Sequence, residues 1–426
     1  MEQQAIWALI IFLLTYALII SEKIHRTVLA MAGAALMVMF GILDQESAVH
    51  HIDFNTLGLL IGMMIIVNTT AKTGLFTYIG IWTEKLAKGN PITLMGLLAL
   101  ITAIGSAFLD NVTTIILMVP VAFSITRRLR VKAFPYLFSM ILATNIGGTA
   151  TLIGDPPNIM IGSAVKELTF VAFMENLAPV AMIILVVILP LVILIFRKEL
   201  KKGFAHQQSL MEIRLEGLIT EKKLLIKCLI ALGLTLLGFF LHQYLHLETA
   251  TIALAGAFLL LLLTGEHVME QAFRSVEWPT IFFFVGLFVL VGGLVETGII
   301  TRVAEEVMRL TGGDPLTTSM LILWLSALAS AFIDNIPLVA TMIPMIQDMG
   351  GMGIQNLEPL WWSLALGACL GGNGTLIGAS ANLIAAGMSA KEGEPISFLK
   401  YMKYGLPLMI LTILISSLYV YLRYFM

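Results

Sequence analysis

The chain repeats itself. Sliding its second half over its first by 224 positions brings their landmarks into register with no net gap. Gly41 meets Gly265, Thr56 meets Thr280, and Thr73-Gly74 falls on Thr297-Gly298. Gly89-Asn90-Pro91 falls on Gly313-Asp314-Pro315, Pro120 on Pro344, and Ser106-Ala107-Phe108-Leu109-Asp110-Asn111 on Ser330-Ala331-Phe332-Ile333-Asp334-Asn335. Further on, Gly147-Gly148-Thr149-Ala150-Thr151-Leu152-Ile153-Gly154 matches Gly371-Gly372-Asn373-Gly374-Thr375-Leu376-Ile377-Gly378, and Asn158 matches Asn382. Whatever the unit is, the chain must fold it twice. A first repeat over 1–196, a polar linker over 197–223 and a second repeat over 224–426 are expected.

Each unit is built from apolar runs long enough to cross a bilayer. They lie near 4–20, 27–43, 54–71, 134–165 and 170–196, and again near 224–241, 248–264, 280–296, 359–390 and 397–422. With 58% hydrophobic and only 12% charged residues the chain is not a soluble globule. A net charge of -2 leaves no basic surface for nucleic acid. The first run, Ala5 to Ile20, is preceded by Glu2 and lacks a basic leader, so it reads as a retained span. Cys228 and Cys369 stand far apart and form no metal or redox motif.

Two further apolar stretches, 91–126 and 315–349, are each interrupted by Asp-Asn, at Asp110-Asn111 and Asp334-Asn335. Each reads either as two crossings or as a hairpin that enters and leaves on one side. The number of crossings per half is odd in both cases. The two repeats are therefore expected in opposite orientations, the architecture of secondary transporters with a site at the repeat interface. With the N-terminus outside, 21 Lys and Arg fall on the inner side and Lys166, Arg302, Arg309 and Arg423 on the outer. Both termini should face outward from a cell (inner) membrane, with the linker in the cytoplasm.

The positions that repeat best are polar or helix-breaking, and each is costly in hydrocarbon unless it is satisfied or used. Asp-Asn is ordinary turn chemistry. A turn does not require Ser-Ala-Phe-x-Asp-Asn to recur, however, and no Lys or Arg stands within about 14 positions of Asp110 or Asp334. A carboxylate at such depth can take up a proton from one side or hold a sodium ion in its place. The Gly-Gly-x-x-Thr-Leu-Ile-Gly segments, followed by Pro156-Pro157 in the first copy, cannot run as continuous helix. They should expose carbonyls and helix ends, which hold cations and attract anions respectively. Asp155 reads as a site residue or as a helix cap beside Pro156. Cys369 reads as a packing residue rather than a ligand, and Trp361-Trp362 as an aromatic belt. Segments 75–88 and 299–311 carry Lys85, Lys88, Arg302 and Arg309 on amphipathic patterns, as interfacial helices do.

These motifs resemble the ion transporter superfamily, in the branch holding arsenite permeases, sodium-proton antiporters and the melanosomal P protein. Gly-Gly-Thr-Ala-Thr-Leu-Ile-Gly-Asp-Pro-Pro-Asn at 147–158 and Leu-Asp-Asn-Val-Thr-Thr at 109–114 look most like the P-protein-like permeases. The resemblance implies an all-α polytopic membrane protein of two inverted repeats. Each has five transmembrane helices, a re-entrant helical hairpin and an unwound transmembrane helix. It also implies a homodimer with a scaffold and a moving transport domain of elevator type. Carried over, it makes Asp110, Asn111, Thr113 and Thr114 one hairpin tip and Asp334 with Asn335 the other. The facing unwound segments contribute Asn145, Gly147, Gly148, Thr149, Thr151, Asp155 and Asn158, then Gly371, Gly372, Asn373, Thr375 and Asn382. Thr113-Thr114 becomes Pro337-Leu338 and Asp155-Pro156-Pro157 becomes Ala379-Ser380-Ala381, so two equal ion sites are not expected.

The expected function is secondary transport of a small ion or metalloid oxyanion in the lipid bilayer, coupled to H+ or Na+, with no cofactor, metal or nucleic-acid partner. A passive anion channel or the membrane subunit of an ATP-driven arsenite pump are the alternatives. HExxH, GxSxG and Walker A motifs are missing, which argues against an enzyme. Because no Lys or Arg is expected at membrane depth, the fixed charge around the site should be acidic.

Overall fold

Helix starts are written twice in the sequence, and the helices begin where they are written. Asn90 caps the amides of Ile92 and Thr93 ahead of Pro91, and Asp314 caps Thr317 ahead of Pro315. A capping side chain followed by proline in the first turn satisfies free amides and presets φ. Gly74 and Gly298 adopt φ of +85° and +72°, which a side chain would resist, and each turns the chain into an amphipathic helix.

The computed structural model describes residues 2–21, 23–201 and 217–426. The first repeat comprises α1 (Glu2–Ile20), α2 (Arg26–Met39), α3 (Gln45–His50), α4 (Phe54–Lys72), α5 (Leu75–Leu86), α6 (Pro91–Phe108), α7 (Asn111–Leu129), α8 (Phe134–Thr149), α9 (Pro156–Ala164) and α10 (Phe170–Leu200). The second comprises α11 (Lys222–Leu245), α12 (Thr249–Thr264), α13 (Glu266–Ser275), α14 (Trp278–Glu296), α15 (Ile299–Thr311), α16 (Pro315–Phe332), α17 (Asn335–Gly351), α18 (Glu358–Gly371), α19 (Ser380–Lys391) and α20 (Phe398–Tyr424). The two series correspond helix for helix, and α4 and α6 map onto α14 and α16 at both ends with the 224-residue offset. No strand occurs among the described residues, and nine of their helices are long and apolar enough to cross a membrane. α10 runs past the expected boundary at 196. Lys202, His206, Glu212, Arg214 and Glu216 of the expected linker lie outside the described residues.

Packing sorts the helices into two bundles. In one, α2 lies along α14 and α4 along α12, so each repeat lends a helix to the other, with α1, α11 and α13 alongside. In the other, α6 packs on α8 and α16 on α18, and the repeats again exchange partners, α7 with α19 and α17 with α9. α10 and α20 flank this second bundle, while α5 and α15 link the two.

Small residues make the second bundle tight. Ala99 and Ala103 on α6 meet Ala143 on α8, and a Cβ at Gly147 would lie 2.1 Å from the Ala103 carbonyl oxygen. The same joint recurs at Gly371 against the carbonyl oxygen of Ala327, at 2.5 Å. Close backbone approach through small residues is how helices associate without a hydrophobic driving force.

The aromatic-belt expectation for Trp361 and Trp362 is corrected. Both are buried, Trp362 edge-on to Phe173 with its indole N–H donating to Glu358 Oε1 at 3.1 Å. The start of α18 faces the bundle interior, so its ring N–H finds a partner inside the protein.

The link between α5 and α7 rests on Glu84, whose buried carboxylate accepts both bonds from Arg128 at 3.1 and 3.2 Å. Burial pushes this carboxyl up and Arg128 draws it back down. Arg128→Ala is expected to cost about 3 kcal/mol, because it leaves the buried Glu84 carboxylate without its guanidinium. Arg127→Ala, which breaks an exposed pair with Glu392, should cost under about 1 kcal/mol. Unfolding midpoints of the two purified variants in detergent check the contrast.

Candidate functional site

The unwound segments sit where the two repeats meet. α8 stops at Thr149 and α9 begins at Pro156; α18 stops at Gly371, followed by a single 3-10 turn over Gly372–Gly374, and α19 begins at Ser380. Helix cannot bridge either gap, because Pro156-Pro157 and the glycines interrupt the ladder. The broken backbone is instead held by side chains, in the same way twice. The Asn158 amide donates to the carbonyls of Thr151 at 2.8 Å, Thr149 at 3.2 Å and Gly148 at 3.4 Å. Asn382 donates to Thr375 O at 2.9 Å and Gly372 O at 2.7 Å. Thr151 and Thr375 hydroxyls donate to the carbonyls of Ala107 and Ala331, and Ser106 and Ser330 to those of Thr144 and Ala368. The carbonyls expected to be free for a cation are thus largely engaged by Asn158 and Asn382.

Amides join the two repeats at this level. One Nδ2 of Asn145 donates to Asn373 Oδ1 at 3.0 Å and to Asn382 Oδ1 at 3.1 Å. In the second repeat the residue matching Asn145 is Cys369, and its thiol reaches back to Asn158 Oδ1 at 3.5 Å. Cys369 therefore belongs to the site. Asn373 Nδ2 is buried with no hydrogen-bond partner among the described residues.

The carboxylates differ in their partners. Asp110 caps α7, accepting from the Thr113 amide at 2.8 Å and from its hydroxyl. Asp334 caps α17 through the Ile336 amide at 3.3 Å, while its second oxygen accepts from Arg26 Nη1 at 2.6 Å and from Ser380 Oγ at 2.7 Å. Both tip residues therefore do turn chemistry and face the site. Asp155 stands at the cap position of α9 but makes no cap bond. Its two oxygens accept from Asn335 Nδ2, each at 3.3 Å, and the Cys369 thiol lies against it. It is 2% exposed and has no cation partner among the described residues. Asp155 thus joins the first repeat's unwound segment to the second repeat's hairpin tip.

Two cavities meet here. A small one of about 40 Å³ holds the side chains of Asp110, Asn111, Asp155, Asn335, Glu277 and Thr280 among apolar neighbours such as Leu60 and Met64. Room for about three waters suits a partly dehydrated ion and excludes an organic anion in this conformation. A larger one of about 290 Å³ is lined by Tyr16, Ile20, Ile24, Phe283 and Leu383, with Asp334 among them. Arg26 and Ser380 line both.

The expected site residues therefore divide. Asp110, Asn111, Asp155 and Asn335 line the smaller cavity, Asp334 lines the larger one, and Asn145, Asn158, Asn373 and Asn382 form the amide layer. Thr113 serves as a cap. Thr149 turns its hydroxyl onto the Asn145 carbonyl of its own helix at 2.7 Å. Gly147 and Gly371 make the helix joints described above, and Thr151 and Thr375 hold the unwound segments to the hairpins. A Cβ at Gly148 would fall 2.2 Å from Asn111 Oδ1, and one at Gly372 3.0 Å from the Gly378 carbonyl. Thr114 lies with Phe76, Ile79 and Met118 beside α5, apart from the residues that line the smaller cavity.

The expectation that the fixed charge is all acidic is also corrected, by Arg26. It lies 308 residues from Asp334, and its counterpart at the repeat offset is Ala250, so no repeat signal marks it. Glu277 was missed as well, although a signal for it exists: Glu277 with Thr280 matches Asp53 with Thr56, and each threonine hydroxyl donates to its acid.

Comparison with known proteins agrees with this architecture. The 46 kDa membrane protein of Mycobacterium leprae is 39% identical over 423 residues, 98% of each chain. An uncharacterized transporter of Mycobacterium tuberculosis is 39% identical over 424 residues, again 98% of each. The P protein of Homo sapiens is 35% identical over 500 residues, covering 98% of this chain and 60% of its own length. Among solved structures, the Alcanivorax borkumensis YdaH transporter superposes with a TM-score of 0.60 at 14% identity, over 98% of this chain and 97% of that one, a likeness of fold alone. A family model described as citrate transporter matches residues 16–367. The chain is a multi-pass membrane protein that belongs to the citrate transporter (CitMHS) family of transporters, within the ion transporter superfamily.

Proposed function

We propose that this chain is a secondary active transporter of a small ion, coupled to Na+ or H+, whose two repeats are inverted and whose second bundle moves against the first. The observation that carries the reading is Asp155. A buried carboxylate that caps nothing, meets no fixed cation and lines a cavity of about 40 Å³ is costly to keep unless it takes up an ion. The reciprocal exchange of helices between the repeats, and the sparse contact between the bundles, support alternating access by sliding of one bundle on the other. A second reading, carriage of an organic anion with a co-transported cation, is favoured by Arg26 at the foot of the larger cavity and by the family's name.

The test is flux in proteoliposomes with sodium, arsenite, chloride, phosphate and citrate in turn, with internal pH followed by dye. One cargo that moves only with a proton or sodium gradient is expected. Movement that follows the cargo gradient alone would establish a channel, and uptake that requires an added ATPase subunit a pump. Asp110→Asn and Asp334→Asn should each lower coupled flux at least about tenfold, a loss of roughly 1.4 kcal/mol in transport barrier. Full coupled flux in both variants would remove the tips from the ion path.

A further inference from the structure

Arg26 holds a place that nothing in the transport reading requires. It enters the site from the first bundle, at the start of α2, while both groups it binds, Asp334 and Ser380, belong to the second. The contact is a closed triangle. Arg26 Nη1 donates to Asp334 Oδ2 at 2.6 Å and to Ser380 Oγ at 2.7 Å, and Ser380 Oγ donates to the same carboxylate oxygen at 2.7 Å. The guanidinium lies 4.9 Å from the centroid of the Phe283 ring, which steadies it from the first bundle's side. The side chains of Arg26 and Asp334 keep 28% and 14% of their surface exposed, so the pair is reachable rather than sealed. It stands between the two cavities, both of which Arg26 and Ser380 line.

The other repeat has no such device. At the 224-residue offset Ala250 replaces Arg26 and Pro156 replaces Ser380, and Asp110 is satisfied by Thr113. A purely structural clamp on a hairpin tip would have been as useful at Asp110. One tip with a built-in cation and one without instead fits a single entry point.

We propose that Arg26 is a tethered counter-cation: in the unloaded carrier its guanidinium occupies the place beside Asp334 and Ser380 that the entering cation takes, so the interbundle latch and the loaded site exclude one another. This rests on the reading of the site as a cation-coupled one. The latch holds the bundles together when no cation is bound, and cation entry releases Arg26 and frees the second bundle to move. A latch closed in about nine carriers of ten lowers apparent cation affinity about tenfold.

The experiment measures the unfolding midpoint of detergent-purified protein against sodium chloride concentration, with choline chloride keeping ionic strength constant and pH fixed. In Arg26→Gln the half-saturating sodium concentration should fall about tenfold. Arg26→Lys keeps the charge without the planar fork and should shift by about threefold in the same direction, which serves if the glutamine variant does not fold. Asp334→Asn should lose most of the sodium response. A folded Arg26→Gln with a lower midpoint but an unchanged sodium half-saturation would make Arg26 a plain structural staple and overturn the proposal. So would loss of a citrate or phosphate response with the sodium response intact, which would make Arg26 an anion ligand. Either result leaves the cation-coupled reading standing. A wild-type protein with no sodium response overturns that reading for sodium and this proposal with it.

Discussion

Asp155→Asn is expected to abolish coupled transport and, at the same time, to raise the unfolding midpoint of the protein. The two effects have one cause. In the wild type the carboxylate is held by an Asn335 amide and a thiol, with the charge of Asp334 nearby and no cation against it. An ionised group so placed costs several kcal/mol relative to a neutral one of the same shape. Asparagine fills the same volume and its Oδ1 can still accept from Asn335, so the variant should gain about 2 kcal/mol of stability. It can neither exchange a proton nor balance a bound cation. The initial rate of gradient-driven uptake should drop at least about 100-fold, equivalent to roughly 2.7 kcal/mol in barrier. Uptake within about twofold of wild type, whatever the midpoint does, would remove Asp155 from the mechanism. A stability gain paired with lost function is the usual sign of a strained functional group.

Gly147→Ala and Gly371→Ala should each prevent recovery of folded protein. At Gly147 the added carbon would lie 2.1 Å from Ala103 O and 2.6 Å from its carbonyl carbon, and at Gly371 2.5 Å from Ala327 O. Both obstacles are helix backbone, which cannot rotate aside as a side chain would. Relief requires α6 to separate from α8, or α16 from α18, at a cost of at least about 3 kcal/mol. Separation would also pull the unwound segments off the hairpins, where Thr151 and Thr375 hold them. Gly233→Ala in α11 is the control, since nothing lies within 4 Å of its added carbon. Alanine there should be neutral or stabilising by about 0.5–1 kcal/mol, as in any exposed helix interior. Size-exclusion traces of the three variants decide the point, and a monodisperse Gly147→Ala peak of wild-type height would refute it.

Much of the architecture was legible because the chain states it twice. The 224-residue offset predicts not only which helices correspond but which hydrogen bonds do. Ser106 and Ser330, Thr151 and Thr375, and Asn158 and Asn382 each make the same bond in both halves. Residues that break the repeat were harder to read. Cys369 looked like packing because a lone thiol in an apolar helix carries no signal, yet it stands in the place of Asn145. Trp361 and Trp362 looked like a belt because a tryptophan pair near a span end fits both a membrane surface and a buried joint.

The sequence by itself determined the spans, the twofold repetition, the breaks in two helices per repeat and the carboxylates beside those breaks. These are local properties, fixed by hydropathy, by proline and glycine, and by residue identity at a constant offset. Only the tertiary structure decided which carboxylate is left without a helix cap or a cation to balance it. Asp110 and Asp334 are satisfied by their own helix caps, and Asp334 further by Arg26, a residue 308 positions away with no counterpart in the other repeat. Asp155 faces the amides of Asn335, 180 positions on, and Asn111, and the nearby thiol, with no cation against it among the described residues. Charge balance at a buried site depends on what folding brings within about 4 Å, where the interaction is strong, and neither hydropathy nor periodicity carries that information.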